Sequence, residues 1–217
     1  LFDDIPEAPR SLNAPLADRM RPETFDEIIG QDDLLGRGRP LRQAIERDAL
    51  SSIILWGPPG TGKTTLALII ARKTRSNFIP MSAVTSAVAE LRRAAEEARN
   101  RLGENRQRTI LFVDEIHRFN KAQQDVILPH VEDGTITFIG ATTENPSFEV
   151  IAPLLSRSRV FALHSLTEEH METIVVRALV DFERGLGSMK AALADDALKH
   201  LINIANGDAR IALNALE

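Results

Sequence analysis

The amino-acid sequence predicts an α/β fold, with a parallel sheet covered by helices on both faces and a small all-helical part after it. Three observations predict this. Five short apolar runs, Ser52–Trp56, Phe78–Met81, Thr109–Val113, Thr135–Ala141 and Val160–Leu163, read as buried strands. Helical stretches alternate with these runs, as in parallel strands joined by crossovers. After Leu166 no strand-like run follows, and apolar residues recur at helical spacing.

Composition narrows the class further. The 217 residues suit one ordinary domain, or one domain with a small appendage. There is no cysteine, which excludes a disulfide scaffold, a Cys-ligated metal and a thiol nucleophile, and suits a reducing cytoplasm. The longest apolar run, Leu66–Ala71, is far short of the ~20 residues that a membrane helix needs, so no membrane partner is expected. A net charge of −5 provides no global basic field, so any nucleic acid would have to be met by a local patch. The chain lacks an initiator Met and stops inside an apolar-periodic stretch, which reads as a segment of a longer protein.

The elements follow in order. Residues 1–14, with Pro6 and Pro9, read as an irregular arm. Leu16–Met20 is a short helical piece stopped by Pro22, and Gln31–Gly38 is a polar turn. Pro40 opens a helix to about Leu50. The first strand runs into a glycine-rich loop and then a helix from Lys63 to about Lys73. A helix over Ser86–Leu102 has Val88, Leu91, Ala95 and Ala98 on one face, and six arginines gather between Arg92 and Arg108. Lys121–Val131 is a further helix. In the last part Thr167 caps a helix whose face includes Met171, Ile174, Val175, Ala178, Leu179 and Phe182. Leu198, Leu201, Ile202 and Ala205 mark a second helix ended by Gly207, and Asp208 caps a third. The division is therefore an α/β core over 15–164 and a helical lid over 165–217.

Gly57-Pro58-Pro59-Gly60-Thr61-Gly62-Lys63-Thr64 carries the strongest chemical signal. It matches G-x-x-x-x-G-K-[ST] and lies between a strand and a helix, the context that this motif requires. Glycines let the backbone wrap a phosphate without Cβ clashes, and successive N–H groups at a helix N-terminus form an anion cradle. Lys63 would reach the β- and γ-phosphates, and the Thr64 hydroxyl would ligate Mg²⁺, with Thr65 beside it. The third strand ends in Asp114-Glu115, at the strand end where parallel sheets bind ligands. Asp114 would hold Mg²⁺ through water, and Glu115 would orient and deprotonate the attacking water. Carboxylates at a strand end are common, and it is the pairing with the phosphate loop that makes these two informative. Thr143, with Asn145 as second choice, follows the fourth strand and could bond the γ-phosphate or the water. Arg157, before the fifth strand, could act in trans on a neighbouring subunit's nucleotide, with Arg159 as a local structural charge. Arg210 in the lid could reach the γ-phosphate. No histidine has metal-ligand spacing, and His117, two residues past the proposed base, could hold the active-site loop.

These elements, in this order, resemble the AAA+ ATPases. The lead-in Pro15–Pro22 with Ile29-Gly30-Gln31 resembles the adenine-side box of the clamp-loader group, which implies that Arg21 and Ile29 lie on the nucleotide. Ser156-Arg157-Ser158 is similar to that group's Ser-Arg-Cys finger, with Ser in place of Cys. Residues 114–125 and 132–148 resemble the Werner helicase-interacting branch of the group. The nucleotide motifs show no departure from the pattern.

The resemblance implies a sheet of order 5-1-4-3-2 with a helical lid, and ATP with Mg²⁺ as cofactors. It further implies hydrolysis between subunits of a homo-oligomer, whose collar would lie beyond residue 217. The implied function is that of a DNA-dependent ATPase at stalled replication forks, in the cytoplasm and on the nucleoid if bacterial. Its partners would be single-strand/double-strand DNA junctions and replication proteins such as single-stranded DNA-binding protein. DNA would meet Arg92, Arg93 and Arg99 on the arginine-rich helix, or Arg118 and Lys121 after the catalytic strand. Two other functions fit the motifs less fully. One is a nucleotide-gated scaffold in which hydrolysis only resets the complex. The other is a small-molecule P-loop kinase, against which the Asp-Glu pair, the arginine finger and the lid all argue.

Overall fold

A computed structural model describes residues 13–217, so most of the predicted N-terminal arm lies outside the described residues. The elements in chain order are α1 (Leu16–Arg19), α2 (Asp32–Leu35), α3 (Pro40–Glu46), β1 (Ile53–Trp56), α4 (Lys63–Thr74), β2 (Asn77–Ser82), α5 (Val88–Asn105), β3 (Thr109–Asp114), α6 (Lys121–Glu132), β4 (Ile136–Thr142), α7 (Pro146–Glu149), α8 (Ala152–Ser156), β5 (Arg159–Ala162), α9 (Glu168–Val180), α10 (Asp195–Ala205) and α11 (Ala209–Leu216). The five strands form one parallel sheet in the order β2-β3-β4-β1-β5, the order that the resemblance implies read from the other edge.

Strand alternation divides the core. Ile53, Leu55, Ile110, Phe112, Ile139 and Ala141 face a cluster closed by α3 and α4. Ile54, Leu111, Val113, Ile136 and Phe138 face the opposite cluster, closed by α5, α6 and α8. Successive side chains of a strand point to opposite faces, so each apolar run fills both layers. The register aligns Trp56 with Thr142 and with Ala162, and Val113 with Gly140. The C-terminal ends of β1, β3 and β4 therefore stand together at one edge of the sheet, where ligands of such sheets bind.

The helices after β5 build their own apolar clusters from Leu166, Met171, Val175, Ile202, Ala205 and Ala212. Short α1 belongs with them, because Leu16 and Met20 pack on Ala178, Leu186 and Leu213 rather than on the sheet. Gln31 ties the two parts together. Its amide donates to the His164 carbonyl (2.9 Å) and accepts from the His164 N–H (3.1 Å), and the side chain is buried. Gly30, at φ 80°, allows this approach, since a Cβ there would lie 2.7 Å from His170 Nδ1.

Some sequence expectations require correction. The helix from Pro40 ends at Glu46 rather than near Leu50, because Asp48 takes a left-handed φ of 55°. The polar turn Gln31–Gly38 contains helix α2. Phe182 lies beyond α9 and is exposed instead of belonging to the buried face. Asn206, at φ 44°, is the residue that stops α10, with Gly207 following it at φ 81°.

Candidate active site

The phosphate loop joins β1 to α4. Gly57 continues the sheet by donating its N–H to the Thr142 carbonyl (3.1 Å), and a Cβ at Gly57 would meet the Leu163 carbonyl oxygen at 2.5 Å. The Thr61 hydroxyl donates to the Pro58 carbonyl (2.9 Å), closing the turn. Gly60 and Gly62 take φ of 70° and 98°, a region costly for residues with a Cβ. Lys63 opens α4, and its ammonium donates to the carbonyls of Gly57 (2.7 Å) and Pro58 (2.8 Å). Burial pushes the Lys63 ammonium below its ordinary value, against the opposing pull of Asp114 and Glu115. An anion delivered to this loop would restore the charge balance.

Across the sheet edge, Asp114 ends β3, and its Oδ1 accepts from the Glu115 N–H (3.1 Å). Glu115 sits in the left-handed region at φ 56°, ψ 45°, which is uncommon for a residue with a Cβ. His117 holds its side chain, with Nε2 lying 3.2 Å from Glu115 Oε2 and Nδ1 3.0 Å from Thr142 Oγ1. Which ring nitrogen donates in these two contacts follows the imidazole's tautomer. The imidazole thus couples the end of β4 to Glu115. Thr143 follows Thr142 directly.

A cavity of about 380 Å³ joins these residues. Its lining includes Pro59, Gly60, Thr61, Gly62, Lys63, Thr64, Thr65, Asp114, Glu115 and Thr143 from the sheet side, and Arg21 and Ile29 from the N-terminal segment. Arg210 closes the cavity from the second position of α11. Asp208, which caps α11 through the N–H groups of Arg210 and Ile211, stands so close to Gly60 that a Cβ there would collide with its carboxylate. Two charged groups of the lid helices therefore reach the phosphate loop. Thr64 and Asp114 on one wall supply the hard oxygen donors that suit Mg²⁺.

Not every sequence candidate reaches the cavity. Gly57 and Pro58 contribute their carbonyls to Lys63 without lining it. Asn145 caps α7 by accepting from the Ser147 N–H (3.0 Å) and does not line the cavity. Arg157 is exposed beyond α8, with its guanidinium 2.6 Å from Glu132 and donating to the Pro153 carbonyl. Arg159 begins β5, exposed. Arg92, Arg93, Arg118 and Lys121 are exposed and also outside the cavity. Sequence reasoning missed Met20, Ile28, Ile174, Arg177 and Leu213, which contribute to the apolar wall and the lid side. Ile174 was read only as core, and no local pattern brings α1, α9 and α11 together.

A glycine-rich phosphate loop, an Asp-Glu strand end and a helical lid on a 2-3-4-1-5 parallel sheet define a P-loop nucleotide-binding protein of the AAA+ class. A family model described as Holliday junction DNA helicase RuvB P-loop domain matches residues 20–150, and the chain belongs to that family. It is similar to replication-associated recombination protein A of Escherichia coli K12, at 57% identity over 94% of this chain and 45% of the relative. It is also similar to the ATPase WRNIP1 of Dictyostelium discoideum, at 47% identity over 94% of this chain and 23% of the relative. Among solved structures, the Thermotoga maritima RuvB Holliday junction branch migration motor superposes with a TM-score of 0.72 at 30% identity, covering 91% of this chain and 64% of that one. The chain spans less than half the length of these curated relatives.

Proposed function

We propose that the protein is a Mg²⁺-dependent ATP hydrolase of the clamp-loader group that acts on DNA at stalled replication forks. The observation that carries this reading is the single cavity that gathers Lys63, Thr64, Asp114, Glu115, Thr143 and Arg210. In this reading residues 15–164 form the nucleotide-binding core and residues 165–217 the lid. Arg21, Ile29 and the apolar wall take the base, and residues 57–65 wrap the phosphates. Thr64 and Asp114 would hold Mg²⁺, which supplies charge neutralisation on the phosphates when bound.

Glu115 takes the proton of the attacking water while His117 fixes its carboxylate. Thr143 orients the water or the γ-phosphate. Lys63 and Arg210 stabilise the charge that develops on the transferred group. Arg157 is exposed and does not line its own cavity, which suits a finger that serves a neighbouring subunit, and in this reading hydrolysis belongs to a homo-oligomer. DNA junctions and single-stranded DNA-binding protein are the partners, and the cytoplasm or nucleoid is the place of action. The names of the relatives support the replication and recombination setting.

The contact between Asp208 and Gly60 supports a second reading, in which bound ATP sets the lid against the core and hydrolysis only resets a scaffold. ATP turnover, with and without a single-strand/double-strand junction at two salt concentrations, tests the first reading. Expected is stimulation by the junction that weakens with salt, with Glu115→Gln losing about 10²–10⁴ in turnover and losing fork function with it. Indifference to DNA, with fork function kept in Glu115→Gln, would support the scaffold instead.

A further inference from the structure

Phe148, at 84% exposure, is the most exposed large apolar side chain among the described residues. It stands on α7, just after β4, and its surroundings are tightly built. Asn145 caps α7, and Pro146, its first residue, is buried. Gln124 of α6 is buried, and its amide donates to the carbonyls of Phe119 (3.1 Å) and Glu149 (2.9 Å) while accepting from the Ile151 N–H (2.9 Å). One side chain thus locks the β3–α6 connection to the β4–α8 connection. Helix α7 also packs against the turn Ile116–Arg118. The backbone around Phe148 is thus tied to neighbouring elements, while its ring lies in water.

The neighbouring Arg118–Lys121 segment presents cations. Arg118 and Lys121 are exposed, and among the described residues neither forms an ion pair. Three of the four arginines of α5 differ, since Arg99 lies 3.7 Å from Asp133, Arg101 pairs with Glu97, and Arg93 shares its surface with Glu96 and Glu104, whereas Arg92 is exposed like Arg118. Glu144 and Glu149 flank Phe148, so the patch is not a general attractor of phosphate. Its distinguishing feature is an exposed aromatic ring on a helix that packs against the turn bearing Arg118, with Lys121 three residues further on; a ring with nearby cations is the combination that binds single strands by stacking a base and neutralising phosphates.

We propose that Phe148, Arg118 and Lys121 form a contact for a single strand of nucleic acid, with one base stacked on the Phe148 ring and neighbouring phosphates on the two cations. This rests on the reading that the protein acts on DNA, and it adds the residue that grips the strand.

The test is binding of a labelled oligothymidylate, followed by anisotropy across a salt series. Phe148→Ala should weaken binding roughly 5- to 150-fold and leave ATP turnover without DNA unchanged. The Arg118→Ala/Lys121→Ala variant should make the logarithmic salt slope shallower by about 1.4, or ~0.7 per phosphate. Phe148→Trp, placed in a Trp56→Phe background so that the new indole is the one tryptophan, should keep affinity and be quenched by the oligonucleotide. Wild-type binding by Phe148→Ala, with an indole blind to DNA, would overturn this contact while leaving the DNA reading intact. A wild-type protein that binds no oligonucleotide and no junction would sink both. Loss of self-association in Phe148→Ala at unchanged DNA affinity would assign the ring to a second copy of the chain and overturn the proposal.

Discussion

Glu115 illustrates how one residue's backbone and side chain are held by different neighbours. The left-handed φ of 56° turns the chain sharply at the end of β3, and the Asp114 carboxylate accepts its N–H. His117 then fixes the carboxylate from the other side, braced on Thr142. In the proposed mechanism His117 is a positioning residue, because it acts through Glu115. His117→Ala should lower kcat about tenfold with little change in KM, the scale of one lost hydrogen bond to a charged group (~1.5 kcal/mol). His117→Gln, which can still donate to the carboxylate, should recover part of the loss. A steady-state comparison of the two variants checks this, and equal defects in both would remove the role. At this scale the site was largely legible. Residues 57–65, Asp114 and Glu115 announce themselves through spacing and a strand context, and all but Gly57 and Pro58 line one cavity. The apolar wall was not legible, because Met20, Ile174 and Leu213 are ordinary core residues until long-range packing brings them to a nucleotide-sized space.

Among elements, one amide is prominent in joining the sheet to the lid helices. Gln31 satisfies both the N–H and the carbonyl of His164, just past β5. Gln31→Ala would leave two backbone groups in a partly buried place without these partners. The expected cost is about 1–3 kcal/mol, the penalty for a buried polar group left unpaired. Denaturant titration measures it, and a loss within ~0.5 kcal/mol would mean that water replaces the amide freely. The strands themselves were read within a residue or two, since a run such as Thr109–Val113 must fill both layers of the core. The short helices α2, α7 and α8 were not, because four or five residues carry no periodicity and are decided by caps and packing. Asn145 shows the ambiguity, since the same residue type serves as a γ-phosphate contact or a helix cap, and only the structure places it on α7.

For the whole molecule, the cavity is shared between parts distant in sequence. The phosphate loop is in contact with Asp208, and Arg210 lines the same cavity as Glu115. A ligand bound there touches both parts at once, which is how binding can bias their relative arrangement. Arg157 lies outside this arrangement, exposed and paired with Glu132. The central claim is that a complete hydrolytic site needs Glu115 from one subunit and Arg157 from the next. Mixing two singly inactive proteins, Glu115→Gln and Arg157→Ala, tests it most directly, because a mixed oligomer contains some interfaces with both residues intact. An arginine finger contributes about 10³–10⁵ in rate, so each variant alone should be nearly silent. The account predicts that ATP turnover reappears on mixing and rises with the time allowed for subunit exchange. A mixture no more active than its two components, in proteins shown to exchange subunits, would contradict it.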